Sequence, residues 1–400
     1  MRPLSKKVQE ISISQTLAFT MKARALKESG IDVVSLTAGE PDFATPPLAK
    51  EAAVRAIAED FTHYTPNQGI RELLQAIIRK FETENGLRFS PEQILVSSGA
   101  KHSVFNALEA ICDPGDEVLL FSPYWVSYPE MIRLADGVPV VVPSTMAEGF
   151  RPDAARLAQA VTSRSKAIIL NSPSNPTGVV YTQRELEAIA AVARRHDLYI
   201  ISDEIYEKVI FDSCTHVSIG ALADVRDQVV TVNGMSKSYA MTGWRIGYMG
   251  GPLDVVEAAA KVQSQVTGNA NSIAQKAALA ALSSPVPEVE AMRKEFEHRR
   301  NAALEILSSL RGVRVLRPQG AMYFFFDVRS FLGTRVPTTT DLALYLLEHH
   351  HVGVVPGDAF GDDGCLRISF ACTLEELTKG LERIRKGLEE LSRESTHADL

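Results

Sequence analysis

Between about residues 90 and 250 the chain alternates short unbroken apolar runs with longer stretches whose apolar residues recur every three or four positions. The runs Ile94–Ser97, Glu117–Phe121, Val138–Val142, Lys166–Leu170, Leu198–Ser202 and Val229–Val232 are too short for helices and too continuous for a strand with one wet face. They predict strands buried on both sides. A helix is expected after the first run through Cys112, and a helical stretch from Val126 towards Leu134. Another is expected over Thr182–Arg195, where Leu186, Ile189, Ala190 and Ala193 share one face. Strands that alternate with helices in this way predict a largely parallel sheet covered on both faces. Such sheets take ligands at the carboxyl ends of their strands.

After Pro285 the pattern changes. A long charged helix from Val286 to Leu310 leads into Val313–Leu316, Ala321–Val328, Val352–Pro356 and Leu366–Phe370. A final amphipathic helix begins near Thr373, where Thr-Leu-Glu-Glu has the form of a capping box. The expected architecture is α/β with a second, smaller α+β part. With 400 residues the chain exceeds the roughly 250–300 that one core accommodates. The expected division is a large domain over residues 46–288, and a smaller one built from 1–45 and 289–400.

Charge and composition narrow the function classes. A formal net charge of -7 argues against a nucleic-acid partner, which calls for a basic stripe. No apolar run is long enough to span a bilayer. The opening MRPLSKKVQE lacks the apolar core of a secretory signal. Cys112, Cys214, Cys365 and Cys372 are scattered, as expected of unpaired thiols in a reducing compartment. A cytoplasmic protein with no membrane partner is expected. His349-His350-His351 closes a helix that starts near Asp341 and has no spaced partners, so no metal site is expected there.

The informative residues sit at strand ends. Asn171-Ser-Pro-Ser-Asn-Pro-Thr-Gly178 follows one strand, Asp203-Glu-Ile-Tyr206 ends another, and Ser236-Lys237 follows a third with Arg245 downstream. Singly these read as a rigid turn, a helix cap and a solvated lysine. Together they fall on one edge of one sheet. With Ser35-Leu-Thr-Ala-Gly-Glu-Pro-Asp-Phe43, Arg367-Ile-Ser-Phe370 and above all Ser236-Lys-Ser-Tyr-Ala-Met-Thr-Gly-Trp-Arg245, the chain resembles the class I and II aminotransferases of pyridoxal-phosphate (PLP) fold type I. Within them it looks most like the bacterial and archaeal aspartate aminotransferase branch.

The resemblance implies a set of roles. Lys237 would bind the cofactor, pyridoxal 5'-phosphate, covalently and then carry the substrate's proton, with a depressed pKa. Asp203 would hold the proton on the pyridine nitrogen. Gly99-Ala100 at a helix start, Ser236 and Arg245 would take the phosphate. Asn175 and Tyr206 would bond the cofactor's 3'-oxygen, and Trp125 would stack on its ring. Arg367 would grip the substrate α-carboxylate bidentately, helped by the backbone of Gly39. Tyr64 would reach the neighbouring subunit's phosphate, which implies a homodimer with shared active sites. Lys101, with Thr16, would read a distal carboxylate, because Ser264–Asn271 offers no arginine for that task.

The implied reaction is aspartate plus 2-oxoglutarate to oxaloacetate and glutamate, in two half-reactions. Ser12 stands where branch members that use prephenate tend to carry a basic residue, which argues against that acceptor. The alternatives are an aminotransferase for aromatic or neutral amino acids and a PLP lyase. A PLP-binding transcription regulator would need a DNA-reading domain that the matched length leaves no room for. Glu204 reads as a structural neighbour of Asp203.

Overall fold

The computed structural model describes residues 2 and 4–398. Its strands, in chain order, are β1 (Val34–Ser35), β2 (Ile94–Ser97), β3 (Glu117–Ser122), β4 (Val138–Pro143), β5 (Ser165–Asn171), β6 (Tyr199–Asp203) and β7 (Val229–Gly234). They continue with β8 (Gly247–Gly250), β9 (Arg314–Val315), β10 (Tyr323–Asp327), β11 (Val352–Gly353), β12 (Val355–Pro356) and β13 (Cys365–Ser369).

A seven-stranded sheet runs β2-β8-β7-β6-β5-β3-β4. Every pairing in it is parallel except those of β8, which lies antiparallel to both β2 and β7. The continuous apolar runs are explained by what covers them. On β3, Val118 and Leu120 face a core that includes Ala107 and Leu108 of the helix Ala100–Ile111 and Val255 and Ala259 of the helix Leu253–Val266. Leu119 and Phe121 face the opposite core, with Leu186, Ile189 and Ala193 of the helix Gln183–His196. That helix starts in a capping box between Thr182 and Glu185 and stops at Asp197, whose left-handed backbone cannot continue it.

The four-stranded sheet β12-β13-β10-β9 is antiparallel throughout. The helices Pro287–Ser309 and Leu374–Ala398 bring Phe296, Ala303, Leu377 and Leu381 into the same core as Phe324, Phe326, Ile368 and Phe370. The expected capping residue is in place, with the Glu376 N–H donating to the Thr373 hydroxyl at 3.2 Å. The N-terminal segment joins this part of the chain, because β1 pairs in parallel with β11.

Two readings needed the structure. The strand β8 was not legible, since Gly-Tyr-Met-Gly is short and bounded by glycine. Val352–Pro356, which reads as one strand, divides at Val354 between two sheets. The triple histidine ends the helix Thr339–His350, where His350 Nε2 meets Glu390 at 3.2 Å and His351 is a left-handed cap.

Candidate active site

The carboxyl ends of β2, β5, β6 and β7 open onto one cavity of about 430 Å³. Thr16, Gly39, Ala100, Lys101, Trp125, Asn175, Asp203, Tyr206, Ser236, Lys237, Arg245 and Arg367 all line it. Gly99 lies just behind the wall, against the Arg245 guanidinium. Tyr64 is not brought into the cavity and is 98% exposed.

The Lys237 ammonium donates to the Gly39 carbonyl and lies 6.0 Å from the centre of the Tyr206 ring. Burial pulls its pKa down to about 8; Arg245 and Arg367 pull the same way, and Glu40 and Asp203 oppose them. A large share of the amine is therefore neutral near pH 8, as a proton acceptor must be.

Asp203 is the last residue of β6, and strand alternation turns it into the cavity while Glu204 turns away. Its carboxylate accepts from the Tyr128 hydroxyl at 2.8 Å and from the Ile205 N–H at 3.2 Å. Burial nonetheless pushes its pKa up to about 6, because it makes no ion pair among the described residues. The loop after β5 is tied to β6 through Asn171, whose amide donates to the Asp203 carbonyl at 2.9 Å and whose carbonyl accepts from the Asn175 N–H at 2.8 Å.

Arg245 spends two donors on carbonyls, Thr242 at 2.9 Å and Ser98 at 3.4 Å, and pairs with no carboxylate among the described residues. It faces the Gly99-Ala100 turn that opens the helix Ala100–Ile111, where the first N–H groups have no intrahelical acceptor. The turn is seated by β8: a Cβ on Gly247 would lie 2.1 Å from the Ala100 nitrogen. The unread strand thus helps to shape this end of the cavity.

Arg367 is a buried cation without an acidic partner among the described residues. Nη2 donates to the Thr37 carbonyl at 2.6 Å, Nη1 to Asn175 Oδ1 at 3.3 Å, and Nε is enclosed with no acceptor. Burial lowers its pKa. Lys101 lies 4.8 Å over the Trp125 ring, and burial, then Arg245, lowers its pKa too. The Thr16 hydroxyl is buried without a partner.

A profile described as aminotransferase class I and II matches residues 31–384. The chain belongs to that family. This aminotransferase is 48% identical over 395 residues to a bifunctional aspartate aminotransferase and glutamate/aspartate-prephenate aminotransferase from Petunia hybrida, covering 96% of this chain and 82% of that relative. It is 44% identical over 390 residues to an aspartate aminotransferase from Geobacillus stearothermophilus, covering 96% and 99%. Among solved structures, the aspartate aminotransferase from Thermus thermophilus with maleate superposes with a TM-score of 0.92 at 47% identity, covering 97% of this chain and all of that one.

Pyridoxal phosphate is the cofactor of this family, and the donor set fits it. A buried carboxylate without a cation suits a protonated ring nitrogen. An arginine without a carboxylate, beside free N–H groups at a helix start, suits a phosphate.

Among the lining residues that sequence reasoning did not single out, three hold predicted ones in place. Tyr128, Asn171 and Tyr323 hold Asp203, Asn175 and Tyr206 respectively. Tyr323 sits in Tyr-Phe-Phe-Phe, which reads as core. Tyr128 carried a weak signal, following Trp125 by one helical turn.

Proposed function

We propose that this aminotransferase moves the amino group of aspartate to 2-oxoglutarate, with both carboxylates of the substrate held by cations of the cavity. The observation that carries the reading is Arg367, wholly buried and without a counter-ion in the cavity that holds Lys237. Burying a guanidinium is costly, and a substrate carboxylate is the partner that offsets the cost. The basic residues lining the cavity are Lys101, Lys237, Arg245 and Arg367. With Lys237 as acid–base group, Arg245 for phosphate and Arg367 for the α-carboxylate, Lys101 remains for a distal one.

When bound, the cofactor supplies an electron sink for charge that develops at the substrate α-carbon. The protein does the rest. Asp203, oriented by Tyr128 and the Ile205 N–H, would hold the proton on the ring nitrogen. Asn175 and Tyr206 would hold the 3'-oxygen, Trp125 would cover the ring, and Ser236, Arg245 and the Gly99-Ala100 turn would hold the phosphate. Lys237 Nζ takes the proton from the substrate α-carbon and returns it on the other side of the reaction. Arg367, the Gly39 region, Lys101 and Thr16 orient the substrate so that this bond faces the amine.

We also propose the division into a large domain, residues 46–288, and a smaller one, residues 1–45 and 289–400. Supporting it, the seven-stranded sheet lies wholly within the first span and the four-stranded sheet within the second. A cytoplasmic homodimer completes the reading. Tyr64 at 98% exposure, with Val54 and Ile57 also open to solvent, is apolar surface of the kind that subunits cover.

A second reading, prephenate as amino acceptor, is favoured by the name of the Petunia relative. Against it, Ser12 supplies no basic side chain at the position where branch members that use prephenate tend to carry one, and its N–H is taken by Glu130 at 3.3 Å. Measurable turnover of prephenate with aspartate would overturn that use of Ser12.

The test is a single-turnover absorbance scan of the holoenzyme with a panel of amino acids. Conversion of the lysine-bound cofactor band by aspartate and glutamate is expected. In Lys101→Ala, KM for aspartate should rise about tenfold or more while neutral amino acids are little affected. Conversion by aromatic or neutral amino acids alone would refute the dicarboxylate preference, and conversion by none would refute transamination.

A further inference from the structure

Arg367 and Tyr206 come from different sheets. Arg367 lies on β13, and Tyr206 follows β6 of the large sheet. One residue touches both. Tyr323, at the start of β10, pairs with Ser369, so across the antiparallel ladder its ring is the diagonal neighbour of Arg367 on the same face. The Arg367 guanidinium carbon lies 4.5 Å from the centre of the Tyr323 ring and 5.0 Å from that of Phe360. With rings near it on both counts and Thr37 and Asn175 on two of its nitrogens, the plane of the fork has little freedom.

The other end of Tyr323 is equally constrained. Its hydroxyl meets the Tyr206 hydroxyl at 2.8 Å. Both groups are buried. The same oxygen occupies the space where a side chain at residue 39 would begin: a Cβ on Gly39 would lie 2.4 Å from it. Glycine at that position admits the hydroxyl and leaves the Gly39 carbonyl for Lys237.

We infer that Tyr323 is a positioning residue that couples the carboxylate-binding Arg367 to the cofactor-facing Tyr206. It does so with two separable parts: its ring orients the guanidinium, and its hydroxyl orients the phenol of Tyr206. This rests on the roles proposed above for Arg367 and Tyr206. Through a single side chain, capture of a carboxylate on the four-stranded sheet and the hydrogen bonding of the cofactor's 3'-oxygen on the seven-stranded sheet are made to share one geometry.

The two parts call for two variants of the holoenzyme. Tyr323→Phe keeps the ring and removes the hydroxyl. It should move the pH at which the absorbance of the lysine-bound cofactor titrates, by about half a unit or more, while binding of succinate, an unreactive dicarboxylate, stays within about twofold. In a Tyr206→Phe background the same substitution should move that titration no further, because the group it acts through is gone. Tyr323→Leu removes both parts and should also weaken succinate about tenfold. An unmoved titration in Tyr323→Phe, or an equal movement in the Tyr206→Phe background, overturns the coupling even if Tyr323→Leu does not fold. Unchanged succinate binding in a folded Tyr323→Leu overturns the role of the ring. Failure of the transaminase reading would show differently, as wild-type protein whose band no amino acid converts.

Discussion

Asp203 and Glu204 are neighbours on the chain and stand in opposite electrostatic worlds. Asp203 faces the cavity with two hydrogen bonds to its carboxylate and no ion pair among the described residues, and its pKa is pushed up to about 6 by burial. Glu204 faces a closed polar cluster. Its carboxylate accepts from the hydroxyls of Ser202 at 2.9 Å and Ser218 at 2.8 Å, from Asn85 at 3.3 Å, and meets His216 Nε2 at 2.9 Å. Glu207 joins it, paired with Lys80 and bonded by the Asn85 amide at 2.7 Å. Glu204, Glu207 and His216 lie close enough together to suggest a metal site, but the Lys80 ammonium already supplies the positive charge. There, balance lowers the pKa of Glu207 against the cost of burial and raises that of His216.

The difference separates charges that hold the fold from charges that await a ligand. Structural charges are paired within the protein. Among the described residues Asp203, Lys237, Arg245 and Arg367 are left short of partners, a deficit that the cofactor and substrate would complete in the function proposed above.

The comparison can be broken at several points. Lys237→Ala should lower transamination by on the order of 10⁴-fold or more and abolish the lysine-bound band, leaving the melting curve near wild type; steady-state rates and a thermal scan check both. Lys80→Met attacks the closed cluster. Leaving Glu207 buried and uncompensated should lower unfolding free energy by about 3–5 kcal/mol in denaturant titration, with KM for aspartate little changed.

Arg367→Met should do the reverse. The value of kcat/KM for aspartate should fall about 10²-fold or more, while cofactor-free protein becomes no less stable, since a buried charge without a counter-ion has been exchanged for apolar atoms. Stability lost in parallel with activity would erase the distinction between the two regions.

The smallest effect is in pH. In its proposed role Lys237 would bind the cofactor through a neutral amine, and burial lowers the pKa of that amine from the ordinary 10.5 to about 8. Reconstitution of cofactor-free protein should therefore quicken roughly tenfold per pH unit below about 8 and level off above it. Continued acceleration towards pH 10 would contradict the depressed pKa.

Much of this was legible before any coordinates. Continuous apolar runs report burial on both faces, and six of them became β2 to β7 within a residue or two at each end. The carboxyl end of β6 and the loops after these strands carried Asp203, Asn175, Tyr206, Ser236 and Lys237, because in a parallel sheet with helical crossovers the carboxyl ends share one edge. What escaped has a common cause. β8 offers no periodicity long enough to register, yet Gly247 on it seats the Gly99-Ala100 turn. Tyr128 and Tyr323 look like core aromatics, and their hydroxyls acquire meaning only from the groups they meet.

By itself, then, the sequence determined the alternation of elements, the edge on which the chemistry lies and the residue types available there, since each is written in local period and in motifs a few residues long. Only the tertiary structure decided which charges have partners. Arg367 and Lys80 are both buried cations in the chain, and neither periodicity nor composition distinguishes them. The distinction arises because partners far apart in sequence, Glu207 for Lys80 and, among the described residues, no carboxylate for Arg367, are set by how distant segments pack together, and the energy of a buried charge depends on that packing rather than on the residue that bears it.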